Sequence, residues 1–176
     1  MSLVGQSMGA HTAMLTAASR PDLVERLVLL EGGEGAGSLA ENAEMGDYFR
    51  SWRVPFVDRA AAREYLGSGF LEQAWVDDLE EREDGLYPRF DADVMVRTIN
   101  AVAVPQWVGW ESVAVPTLVV YASNGMFSAE DKAEFVRRGQ NAERADIQGA
   151  THDAHLDSFE EWIKILRSFL SRPTSA

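Results

Sequence analysis

Short, almost wholly apolar runs punctuate this chain. Leu27-Val28-Leu29-Leu30 and Pro116-Thr117-Leu118-Val119-Val120-Tyr121 are two of them. Such runs, bounded by turn residues, predict strands buried on both faces of a parallel sheet. Ser2–Val4 reads as a shorter strand stub, and Arg144–Ile147 as a weak strand. Between the first two strands lies Ala10–Ser19, rich in Ala, Leu and Met, which predicts a helix ended by Arg20-Pro21. Ser128-Ala129-Glu130-Asp131 supplies an N-cap and an acidic first turn for a helix running to about Arg138, with Gly139 as its stop. Phe159, Trp162, Ile163, Leu166, Phe169 and Leu170 keep a helical period from near Ser158. The pattern is that of an α/β chain whose parallel strands are joined by crossover helices.

Residues 34–110 differ. They hold Trp52, Trp75, Trp107 and Trp110, and amphipathic helices are expected near Asp58–Tyr65, Phe70–Glu83 and from Asp91 toward Val104. Between Glu34 and Asp93 there are fifteen acids against six Arg and no Lys, so most of the net charge of −12 lies here. Acids outside and aromatics inside predict an inserted helical cap over a pocket, with a plain helical subdomain as the alternative. The domain reading is therefore 1–33 and 111–176 as an α/β core, with 34–110 as the insertion.

Composition narrows the chemistry. There is no Cys, which removes disulfides, thiolate catalysis and Cys-type metal sites. The acidic balance argues against nucleic acid as a partner. No apolar run approaches membrane-spanning length, and the first residues lack a basic stretch followed by an apolar one. A soluble cytoplasmic protein without cofactor or metal is the expectation.

Gly5-Gln6-Ser7-Met8-Gly9 stands between the strand stub and the first helix. In that setting G-x-S-x-G is a nucleophile elbow: the serine projects from a tight turn, and small residues let strand and helix approach around it. The Met8 N–H, at the positive end of the helix, is placed to be one donor to a developing oxyanion.

These pieces resemble the α/β-hydrolase fold family, in its cap-bearing, esterase-like branch. The resemblance rests on Val4–Gly9, the strand ending at Leu30-Glu31, the inserted segment, Pro116–Tyr121, and Gly149-Ala150-Thr151-His152-Asp153. It implies Ser7 as nucleophile and His152 as general base. The usual acid follows the strand that ends at Tyr121, but Ser123-Asn124-Gly125 offers none. Asn124 could orient an imidazole without compensating its charge. Some branches carry the acid after the preceding strand, where Glu31 stands, so Glu31 is the expected acid. Asp153 is a poor partner for its sequence neighbour. His155 and His11 are read as a second loop histidine and a packing histidine. A serine at the elbow implies acyl transfer on a small-molecule substrate, either hydrolysis or cofactor-free perhydrolysis. The alternative is a non-catalytic binding module on the same scaffold.

The resemblance also implies strands ahead of the elbow, and only Ser2–Val4 precede Gly5. An N-terminal half missing from the sheet would remove a second oxyanion donor, worth about 10²–10³ in rate. Three readings stand: a longer reading frame, a fragment or degenerate copy, or a sheet edge completed by another chain, including a homo-oligomer.

Overall fold

The computed structural model describes residues 1–35 and 37–173. In chain order its elements are β1 (Ser2–Gln6), α1 (Met8–Ser19), β2 (Arg26–Leu30), α2 (Leu39–Arg50), α3 (Arg59–Leu66), α4 (Phe70–Asp78), β3 (Glu80–Arg82) and β4 (Gly85–Tyr87). They continue with α5 (Ala92–Val102), α6 (Trp107–Ser112), β5 (Thr117–Asn124), α7 (Ala129–Arg138), β6 (Ala142–Thr151), α8 (Ala154–Asp157) and α9 (Phe159–Leu170). They gather into two compact units, Met1–Ala36 with Val104–Ala176, and Gly37–Ala103.

In the first unit β1, β2, β5 and β6 form an all-parallel sheet in the order β1-β2-β5-β6. The apolar runs become its centre. β2 is buried at every position, and β5 from Thr117 to Ala122. Alternation along the strands sorts their side chains between two helical layers. Leu27, Leu29, Val119 and Tyr121 pack with Met14 and Ala17 of α1, Trp110 of α6 and Phe135 of α7. Val28, Leu30, Leu118, Val120 and Ala122 pack with Trp162 and Phe169 of α9. Trp110 stacks on Phe135 at 4.2 Å between centroids, and its indole N–H donates to the Phe135 carbonyl at 2.7 Å. Trp107 and Trp110, grouped from the sequence with the insertion, therefore belong to the first unit.

The strands are in step. Gln6 pairs with Leu30, Leu30 with Val120, and Val120 with Ala145. Their C-terminal ends line one side of the sheet, where open α/β sheets hold their ligands. β6 runs further than expected, to Thr151, with an irregularity opposite Ala122–Asn124.

In the second unit α2 and α5 lie antiparallel. Asn42 Nδ2 donates to Asn100 Oδ1 at 2.9 Å, Gly46 lets α5 approach at Val96, and Arg50 pairs with Asp93 at 2.7 Å. Trp52, Phe56, Ala62, Val76, Leu79 and Leu86 form a separate core, flanked by Phe49, Trp75 and Phe90. The helix expected over Phe70–Glu83 stops at Asp78, and β3 and β4 form a hairpin instead. Glu83-Asp84 makes the two-residue turn between them, and Gly85, which opens β4 opposite Arg82, has φ +142.

Candidate active site

Ser7 is the first residue past β1. Its N–H donates to the Leu30 carbonyl at 2.9 Å, and its carbonyl accepts from Ala10 and His11 at 2.9 and 3.2 Å. Strand end and helix start are thus tied through one residue, which takes φ 53 and ψ −121. A positive φ at a non-glycine residue costs on the order of 1–3 kcal/mol and persists only where neighbours over-determine it. A β-carbon on Gly5 would collide with the backbone of Gly9 and Ala10. One on Gly9 would meet nothing within 4 Å. The close approach expected of both glycines is required of Gly5 alone, and Gly9 takes part as the backbone that Gly5 lies against. Met8 opens α1, so its N–H has no intrahelical acceptor.

Glu31 is the first residue past β2 and also has positive φ, 47. It is 1% exposed. Its Oε1 accepts from the Ala122 N–H at 2.8 Å and its Oε2 from the Met126 N–H at 3.0 Å. His152 Nδ1 lies 3.3 Å from Oε2. Burial pushes the Glu31 pKa up, but the bonds from His152, Ala122 and Met126 outweigh it and hold the carboxyl below its ordinary value. A β-carbon on Gly125 would sit on both carboxylate oxygens. The missing acid after β5 and the buried acid after β2 are two sides of one arrangement: the Glu31 carboxylate fills the space that a side chain at 125 would need.

His152 follows the last residue of β6. Its carbonyl accepts from Gln6 Nε2 at 3.1 Å, which links the histidine loop to the residue before Ser7. On its other flank, Thr151 donates through N–H and hydroxyl to Asp157 Oδ2, at 2.9 and 2.5 Å. Burial pushes the Asp157 carboxyl up, and the bonds from Thr151 outweigh it, for a net lowering. Ser7, Glu31 and His152 thus each begin the connection leaving a parallel strand, and the imidazole is hydrogen-bonded to Glu31. Among the described residues no hydrogen bond joins the Ser7 hydroxyl to His152. Asn124, weighed as an orienting group, donates to the Gly149 carbonyl at 3.3 Å instead. The Nδ1 atoms of His11 and His155 are buried without a partner. Burial lowers the His11 pKa, partly offset by the Gly33 backbone. Among the described residues no group of three His, Asp or Glu side chains could hold a metal ion, and no helix is long and apolar enough to cross a membrane.

The sequence reading missed Gln6, Gly125 and the Thr151–Asp157 bonds. Gly125 had a signal, since a glycine where an acid is expected asks what occupies its space. The Gln6 bond spans 146 residues and left no pattern.

The profile of the alpha/beta hydrolase family matches residues 2–165. The chain belongs to the alpha/beta hydrolase family. It is 28% identical over 175 residues to a pyrrolizixenacetamide deacetylase of Xenorhabdus hominickii, covering 96% of this chain and 64% of that protein. It is 30% identical over 181 residues to an sn-1-specific diacylglycerol lipase of Mus musculus, covering 96% of this chain and 58% of that protein. The chain therefore spans about three-fifths of these hydrolases. The solved structure of E-2-(acetamidomethylene)succinate hydrolase superposes with a TM-score of 0.81 at 21% identity, over 97% of this chain and 66% of that one. The four-stranded parallel sheet is thus part of a larger hydrolase fold.

Proposed function

We propose that this chain carries the nucleophile, base and acid of a serine hydrolase acting on a small ester or related acyl compound. The observation that carries the reading is the buried Glu31 carboxylate on His152 Nδ1, one strand from a serine held in a left-handed elbow. Glu31 would fix the imidazole so that Nε2 accepts a proton. The Ser7 hydroxyl would lose its proton to His152 as its oxygen attacks the acyl carbon, and the Met8 N–H would receive the developing oxyanion. His152 would then protonate the leaving group, and water activated by the same imidazole would cleave the acyl-enzyme. The deacetylase and lipase relatives support acyl transfer as the class without naming a substrate. The unit Gly37–Ala103 is proposed as the cap that selects it.

Turnover of a short-chain p-nitrophenyl ester tests this. Ser7→Ala is expected to reduce it to background, and Glu31→Gln to lower kcat by about 10²–10⁴ while the fold survives. Turnover unchanged in Ser7→Ala contradicts the reading. A binding module on the same scaffold is the second reading. It is favoured by the imidazole of His152 being bonded to Glu31 while, among the described residues, no hydrogen bond joins it to the Ser7 hydroxyl. Under it, ligand affinity survives Ser7→Ala and no ester is turned over.

A further inference from the structure

We propose that Tyr121 is a positioning residue that holds the Glu31 carboxylate against His152 by anchoring the left-handed turn at the end of β2. Its part in a reaction rests on the reading of Glu31 as the acid.

Three consecutive residues of β5 grip this turn. The Val120 carbonyl accepts from the Glu31 N–H at 2.9 Å, the Tyr121 hydroxyl donates to the Gly32 carbonyl at 3.1 Å, and the Ala122 N–H donates to Glu31 Oε1 at 2.8 Å. The first is a backbone bond between neighbouring strands that most residues could make. The third is made by the carboxylate itself, and exists only if the carboxylate has already arrived. The Tyr121 bond is a side-chain bond to the Gly32–Gly33 peptide, the second peptide after Glu31. It therefore constrains the angle at which the chain leaves the strand, and with it the direction of the side chain. Glu31 has φ 47, a conformation that a glutamate does not keep unaided.

Packing alone does not call for the hydroxyl. The Tyr121 ring is fully buried beside Phe127 at 5.4 Å, with Val119 in the same cluster, and a phenylalanine would fill that space. Burial and the Glu31 charge push the hydroxyl pKa up, so it stays protonated and able to donate throughout the range in which Glu31 titrates. The next peptide is fixed as well, because Lys132 Nζ donates to the Ala122 carbonyl at 2.7 Å. The strand that carries Tyr121 is thus held at the residue that follows it.

The test reads the carboxyl and needs no turnover. In protein labelled with ¹³C-glutamate, the Glu31 carboxyl carbon is assigned by its loss in Glu31→Gln and titrated in wild type and Tyr121→Phe. With the turn loosened, the carboxylate withdraws from its three donors, and its midpoint is expected to rise by about one pH unit or more. The same bond is weakened from its other end by placing glycolate at position 33. That change makes the Gly32 carbonyl a poorer, ester acceptor and leaves the core intact, so it carries the test if Tyr121→Phe does not fold. A Glu31 midpoint unmoved in the folded variant overturns the proposal, including when thermal stability falls. A midpoint that moves in a protein whose Ser7→Ala variant loses no activity keeps Tyr121 as the holder of Glu31 and removes the hydrolase reading.

Discussion

Ser7 and Glu31 share one device. Each is a non-glycine residue at positive φ, placed where a parallel strand ends, and each is restrained by a neighbouring strand. For Ser7 the sequence announced this, because G-x-S-x-G between a strand and a helix has few other uses. For Glu31 it did not. Glu31 as the acid is what the family resemblance implies for the end of β2, and its surroundings leave no mark in the sequence. Hydrogen bonds to the Ala122 and Met126 N–H groups join residues 91 and 95 apart, one near the end of β5 and one in the loop after it, which no local pattern encodes. Gly125 tests the arrangement at this scale. Gly125→Ala puts a methyl group on the carboxylate and is expected to cut ester turnover by at least tenfold while leaving the protein folded. Turnover equal to wild type would mean that the carboxylate does not matter where it lies.

Among the elements, those with strong periodicity or a clean apolar run were legible: β2, β5, α1, α7 and α9. The misses have local causes. α2 is not legible although Ser38 and Glu41 form a complete capping box, because the positions it buries are Asn42 and Gly46 and not an apolar stripe. The helix expected over Phe70–Glu83 takes in β3, because the apolar period of α4 continues to Leu79. The two edges of the sheet also differ. β6 carries Glu143, Arg144 and Asp146, which guard an edge against pairing, whereas β1 is uncharged. The junction of β1 and α1 gives this scale its prediction. Gly5→Ala drives a β-carbon into helix backbone and is expected to abolish folding or cost more than about 3 kcal/mol. Gly9→Ala faces open space in a helix and is expected to stay within about 1 kcal/mol of wild type by urea denaturation. Equal costs for the two would contradict the geometry of the elbow, even though the motif treats both glycines alike.

At the scale of the whole molecule, the charge of −12 divides unevenly, and most of it falls on the stretch that forms the helical unit. That division was visible in composition. The exact boundary was not, because the acids of this stretch stop at Asp93 while the second unit runs to Ala103, and Trp107 and Trp110 pack in the other unit. Buried Glu31 adds a pH dependence of definite sign. Its folded pKa lies below the ordinary 4.5. Its contribution to stability is therefore fully present above that value and is lost as pH falls through the lower folded value. The stability of wild type over Glu31→Gln should accordingly shrink as pH falls below 4.5. A gap that stays constant would mean that the carboxylate is not held as described. The central claim, that Ser7 is a nucleophile activated by His152 and Glu31, is tested most directly by a fluorophosphonate probe with peptide mapping of the adduct. The expected result is a single adduct on Ser7, absent in Ser7→Ala and formed far more slowly in His152→Gln and Glu31→Gln. A folded protein left unlabelled, or labelled at the same rate in all of these variants, would contradict the claim.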